Sequence, residues 1–164
     1  MYPLLREASI PREVKTDLYK TILQPILLYG SETWVLTERL KSKLQAAEMK
    51  VLRLIKGVTK FDRNRNIDIR ASLGIEPLVL TIEKNQLRWY GHLRRRGPDN
   101  RAKELMDWRP TQKRPRGRPR RRWADGIENI VAREGIGMEE AEHQCQNRVI
   151  WRRFVTSLTT DRST

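Results

Sequence analysis

Cysteine occurs once in the 164 residues, at Cys145, so no disulfide can form within the chain. Histidine occurs twice, at His92 and His143, and one cysteine with two histidines cannot close a four-ligand zinc site from those residues alone. No apolar run approaches the roughly 20 residues that span a bilayer; the longest, Pro25 to Tyr29, is far shorter and contains a proline. A charged region leading into an apolar stretch is missing near Met1, so no signal peptide is expected. The sequence also has no glycine-rich phosphate loop and no nucleophile beside an obvious base. A disulfide scaffold and a membrane span are thereby excluded. The expectation is an intracellular chain with no cofactor, no metal, no membrane partner and no small-molecule substrate.

Two acidic pairs invite a metal reading, Glu139-Glu140 and Asp62 with Asp68. The first sits where a helix begins, and acids there stabilise the helix dipole without any ion. The second flanks a cation-rich turn. Neither is expected to bind metal.

Positive charge is abundant. The net charge is +14, which points to a polyanionic partner. It is also concentrated: Arg88 to Arg122 holds 14 Lys/Arg against 3 Asp/Glu, whereas residues 123–164 hold 5 against 7. A concentrated excess predicts a binding stripe rather than a uniformly solubilised surface.

Apolar spacing predicts an all-α fold, a small helical bundle. Pro11 opens a helix to Gln24 with Val14, Leu18 and Ile22 in register. Pro25 is expected to interrupt it, leaving Ile26 to Gly30 as a kinked continuation or a short buried segment. Thr37 caps a helix over Glu38–Lys56, with Leu40, Leu44, Ala47, Val51, Leu54 and Ile55 as its apolar face and Gly57 as its stop. Its cations Lys41, Lys43, Lys50 and Arg53 read as a solvated face. A short helix is expected over Asn66–Leu73, closed by Gly74. Another runs over 77–96, with Leu78, Ile82, Trp89 and Leu93 on its inner side. Asp99 is expected to cap a short helix ending near Trp108. A helix over 120–134 carries Trp123, Ile127, Ile130 and Val131. A last one covers 138–158, with His143 and Cys145 as structural residues. The implied organisation is a helical region over 1–97, a basic linker over 98–122 and a C-terminal helical region, a pair of helices, over 123–164.

Two segments are candidates for nucleic-acid contact. Trp89, Tyr90 and His92 precede Arg94, Arg95 and Arg96, and such a set can stack bases and hold phosphates. For Trp89 itself, packing in the core is the favoured reading. The second segment contains Lys113, Arg114, Arg116, Arg118, Arg120, Arg121 and Arg122, seven cations in ten residues. With so little apolar area it is expected to be extended and poorly ordered until a partner binds, with Trp123 anchoring its end on the following helix. Its centre, Pro115-Arg116-Gly117-Arg118-Pro119, has the form of an AT-hook, in which two arginines enter a narrow A·T-rich minor groove. A polybasic linker or a nuclear-import signal has the same composition.

The order of motifs resembles the region after the polymerase palm in non-LTR retrotransposon endonuclease/reverse transcriptases. The residues carrying the resemblance are Leu18-Tyr19-Lys20 and Gln24-Pro25-Ile26-Leu27-Leu28-Tyr29-Gly30-Ser31-Glu32-Thr33-Trp34. They continue with Asp68-Ile69-Arg70, Gln86-Leu87-Arg88-Trp89-Tyr90-Gly91-His92 and Arg116-Gly117-Arg118-Pro119-Arg120-Arg121-Arg122-Trp123. Asn147-Arg148 and Trp151-Arg152 close the series. The resemblance implies a thumb-like part of an RNA-directed DNA polymerase, gripping a template–primer. The family's endonuclease, fingers and palm have no counterpart, and the two adjacent aspartates of the palm's acidic motif occur nowhere in the chain. The cysteines of the zinc knuckle found in some related elements are missing too. What the resemblance implies is a truncated C-terminal fragment that binds RNA or DNA backbone, in or near the nucleus, without a catalytic site. The alternatives are a part of an active polymerase completed by upstream sequence, or an AT-hook-like DNA-binding protein.

Overall fold

The computed structural model describes residues 2–97, 99–108, 116–117 and 121–159. Among them no strand occurs, and the chain is all-α. The helices are α1 (Tyr2–Arg6), α2 (Arg12–Leu18), α3 (Gln24–Leu28), α4 (Glu38–Lys56), α5 (Asn66–Leu73), α6 (Leu78–Arg94), α7 (Arg101–Asp107), α8 (Trp123–Arg133), α9 (Met138–Gln146) and α10 (Arg148–Ser157). A π-helical turn, Tyr19–Leu23, joins α2 to α3, and a 3-10 turn covers Ser31–Thr33.

Of the two readings for the stretch after Pro25, the helical continuation is the one observed, beyond an irregular turn. The Gln24 N–H bonds to the Tyr19 carbonyl, an i→i−5 step. That widened turn leads directly into Pro25, whose missing N–H cannot satisfy a normal α-ladder. The helical path therefore continues to Leu28. Elsewhere the caps fall where the sequence places them. The Thr37 hydroxyl accepts from the Leu40 N–H at 3.2 Å. Gly57 and Gly74 are left-handed, with φ of 74° and 59°. Each is followed by a bond that closes the helix, from the Val58 N–H to the Arg53 carbonyl and from the Ile75 N–H to the Arg70 carbonyl. Two expectations are corrected. Asn100, not Asp99, caps α7, accepting from the Lys103 N–H at 3.3 Å. The single helix expected over 138–158 is two, because the Asn147 side chain accepts from the Val149 and Ile150 N–H groups and starts α10 afresh.

The chain forms two compact units, Met1–Ser31 with Thr37–Ile82, and Glu32–Leu36 with Glu83–Thr164. The division falls inside α6. In the first unit, α4 packs against α1, α2 and α5. Leu5, Tyr19, Met49, Leu52, Ile55, Ile69 and Leu73 form its core. The α4 face is rotated from the expected one. Ala47 is exposed and Leu54 only half-buried, while Glu48, Met49 and Leu52 are inside. Glu48 is fully buried and fully used: one oxygen pairs with the Arg70 guanidinium at 2.6 Å, and the other accepts the Leu78 N–H at 3.0 Å. It thereby satisfies an orphan donor at the start of α6 and brings α4 and α5 to the same point.

The core of the second unit holds Leu87, Tyr90, Leu93, Ile127, Val131, Ala141, Cys145, Trp151, Val155 and Leu158. Burial pushes the Cys145 thiol up to about 12. Residues 32–36 are held by three side chains that donate to alternate carbonyls. Trp123 Nε1 bonds to Glu32 at 2.7 Å, Gln86 Nε2 to Trp34 at 2.7 Å, and Arg121 Nη1 to Leu36 at 3.3 Å. Glu83 on α6 pairs with Arg133 on α8 at 2.7 Å.

Candidate nucleic-acid interface

Helix α6 is buried on most sides and presents only a narrow open stripe, in which Arg88 is exposed and His92 half-buried. The Tyr90 ring points inward and is 2% exposed. It packs near Trp123 and Trp151, with ring centroids 6.4 and 6.1 Å away. Tyr90 therefore cannot offer a ring face to a base, which corrects the sequence expectation. The inward aromatic is Tyr90 rather than Trp89. Trp89 is half-buried and stacks on His92, at 5.3 Å between centroids and 16° between planes.

Two of the three consecutive arginines also have internal partners. Arg94 reaches Tyr90 Oη at 3.1 Å, Asp107 at 3.1 Å and Glu142 at 2.8 Å, and its guanidinium lies 5.2 Å from the Tyr90 ring centre. It holds α6, α7 and α9 together, so it is not available as a phosphate ligand. Arg95 donates to the Cys145 carbonyl at 2.7 Å. Arg96 is exposed, and its Nε donates to His92 Nε2 at 3.1 Å.

Of the second candidate segment, Lys113, Arg114, Arg118 and Arg120 lie outside the described residues, as does most of the stretch expected to be poorly ordered. Arg116 is exposed. Arg121 is exposed and bonded to Leu36, as above. Arg122 precedes α8, and its N–H bonds to the Asp125 carboxylate at 2.8 Å. Trp123 is half-buried in the first turn of α8, with its indole N–H donated to Glu32.

The structure adds residues that were not among the candidates for nucleic-acid contact. Helix α10 meets α6 through Trp151. Trp151 Nε1 donates to the Leu87 carbonyl at 2.9 Å, and the indole occupies the space a Cβ on Gly91 would need. Beside this contact an open cleft of ≈ 570 Å³ is lined by Arg88, His92 and Arg95 of the α6 side and by Arg148, Trp151, Arg152 and Val155 of α10. No carboxylate lines it among the described residues. Positions 88, 92 and 95 share one face of a helix, as do 148, 152 and 155. Of the three arginines of α10, the two that line the cleft, Arg148 and Arg152, have no side-chain partner among the described residues. Burial, followed by Arg96, Arg95 and Arg148, lowers the His92 pKa below its ordinary 6.5. The cleft can hold anionic oxygens with several guanidinium groups at once. The available signal was the pairing of Arg148 and Arg152 around Trp151. It was masked by the net negative charge of residues 123–164.

Over 133 residues, 77% of the chain, the sequence is 32% identical to an uncharacterised transposon-derived protein of Caenorhabditis elegans. The aligned part makes up 47% of that protein, so the chain spans about half the length of this relative. By this likeness the chain is transposon-related. No protein-family profile matches it. No solved structure matches it.

Proposed function

We propose that this chain is the post-palm, thumb-like region of a non-LTR retrotransposon reverse transcriptase, and that it binds nucleic-acid backbone without forming a catalytic site of its own. The observation that carries the reading is the cleft between α6 and α10, with Arg88, Arg95, Arg148 and Arg152 and no lining carboxylate among the described residues. The transposon-derived relative and the motif order from Leu18 to Arg152 support the same origin. Polymerisation belongs to a palm with paired aspartates, which these residues do not supply. Purified chain is therefore expected to incorporate no nucleotide by itself.

Titrating the purified chain into labelled duplex DNA over a range of salt tests the binding reading. If about six cations from the cleft and the 113–122 segment neutralise phosphates, log affinity falls against log salt with a slope near −5. Affinity that ignores salt, or no binding at low salt, overturns it. An AT-hook-like reading rests on Pro115–Pro119 and is separated from this one by sequence preference.

A further inference from the structure

The geometry points to a single-stranded nucleic acid as the ligand of the α6–α10 cleft, with one unpaired base placed against the His92–Trp89 ring pair and its phosphates on Arg88, Arg148 and Arg152. This deepens the proposed function and rests on it.

Three observations combine here. The first is shape. Helix α10 meets α6 through Trp151, whose indole N–H bonds to the Leu87 carbonyl and fills the space beside Gly91. Beside this contact lies the open cleft of ≈ 570 Å³, with residues of the α6 side and of α10 on its walls, which one strand can enter. A duplex keeps its bases paired and stacked inside, so it offers this cleft only its outer phosphates.

The second is composition. The cleft has cations on both walls, from α6 and from α10, and the His92 ring between them. Guanidinium groups along the backbone path, with an aromatic ring beside them, make up the usual arrangement for holding unpaired nucleotides. Arg148 and Arg152 stand one helical turn apart, about 6 Å along the axis, so they can meet successive parts of one backbone.

The third is preorganisation. His92 is not a loose surface ring: Trp89 stacks on it and Arg96 donates to its Nε2. Arg95, at the end of the α6 row, is fixed by its bond to the Cys145 carbonyl. The lowered His92 pKa leaves the imidazole neutral at pH 7, so it presents a ring rather than one more charge. The predominant cation of the cleft is therefore arginine, which binds phosphate oxygens in bidentate fashion and also stacks.

The test uses the full chain, with fluorescence anisotropy on labelled single-stranded oligonucleotides and on hairpin duplexes of equal phosphate number. The variants are His92→Ala, Trp89→Ala and the pair Arg148→Gln with Arg152→Gln, each checked for its helical circular dichroism. Single strands are expected to bind at least tenfold tighter than duplexes. His92→Ala is expected to weaken single strands about tenfold while leaving duplexes within twofold, and the arginine pair to weaken single strands further. If Trp89→Ala fails to fold, His92→Ala alone decides, because its side chain lies at the open edge. Duplex preference, or equal loss on both ligands in His92→Ala, overturns the inference and leaves backbone binding standing. Single-strand affinity unchanged by the arginine pair removes the cleft from the interface. No binding to either ligand overturns the proposed function itself.

Discussion

Gly91 shows how much one missing atom can matter. A Cβ there would overlap Nε1 and Cδ1 of Trp151, a buried indole fixed by its bond to Leu87. Gly91→Ala would gain helix propensity of up to about 1 kcal/mol, but it forces α10 off α6. Overpacking of this kind typically costs about 1–3 kcal/mol. A net destabilisation is expected in urea unfolding, together with weaker single-strand binding because the cleft walls move apart. Unchanged stability would mean that α10 shifts freely. His92 gives a second prediction at this scale. Burial, Arg96, Arg95 and Arg148 disfavour its charged form, and Arg88 and Arg152 share the cleft. The unfolded chain thus takes up this proton near pH 6.5, before the folded chain does. The stability contributed by His92 is full above that pH and falls as the pH drops below it. Bound phosphate favours the imidazolium, so affinity for nucleic acid should rise over the same acid range. His92→Ala should flatten the affinity profile between about pH 7 and pH 5. A profile with the same slope in the variant assigns the effect to another group.

At the scale of elements, the break between α9 and α10 rests on a single side chain. Asn147 accepts from two N–H groups of the next turn, Val149 and Ile150. Asn147→Ala should cost about 1 kcal/mol, in the range for removal of an N-cap. A thermal melt lowered by a few degrees, with helical content retained, is the expected result; no change would show that the break is set by packing instead. The apolar rhythm through Ala141, Cys145, Trp151 and Val155 runs on past this break, so spacing alone could not reveal it. Helices α4 and α5 were legible because local chemistry ends them: Thr37 at one start, Gly57 and Gly74 at the stops. The α4 face was less so, since the buried carboxylate of Glu48 reads as a surface residue until Arg70 and Leu78 are seen around it. On α6, burial on nearly all sides removes the contrast on which periodicity depends. The inward ring was therefore assigned to Trp89, one residue from Tyr90. Several motifs that carry the family resemblance prove to be packing devices. Gln86 and Trp123 hold residues 32–36, and Gly91 receives Trp151. Sequence pattern finds such residues but cannot separate them from ligand contacts, because both kinds combine aromatic and polar groups.

Across the whole molecule the cations fall into two classes that composition treats as one. Arg70, Arg94 and Arg133 are paired with carboxylates of other helices. Arg88, Arg96, Arg116, Arg148 and Arg152 are exposed. The run from Lys113 to Arg122 places seven cations in ten residues with no carboxylate among them, the densest charge in the chain. One of its members, Arg121, donates its guanidinium to the Leu36 carbonyl and is a poor choice for a binding test, whereas Arg122 is held through its backbone N–H to Asp125. Lys113, Arg114 and Arg120 are better ones for charge, and Arg116 with Arg118 for groove reading. Substituting the first three by glutamine should weaken binding to all sequences. It should also make the salt slope shallower by about one for each phosphate no longer neutralised. Substituting Arg116 and Arg118 by lysine keeps the charge but removes the residue type favoured in a narrow minor groove. With backbone attraction as the main term, the lysine pair should lower affinity modestly and equally on A·T-rich and G·C-rich duplexes. Competition between those two duplexes decides the matter. A preference of tenfold or more, about 1.4 kcal/mol, that disappears in the lysine pair would make Pro115–Pro119 a minor-groove reader and not part of a general polycation.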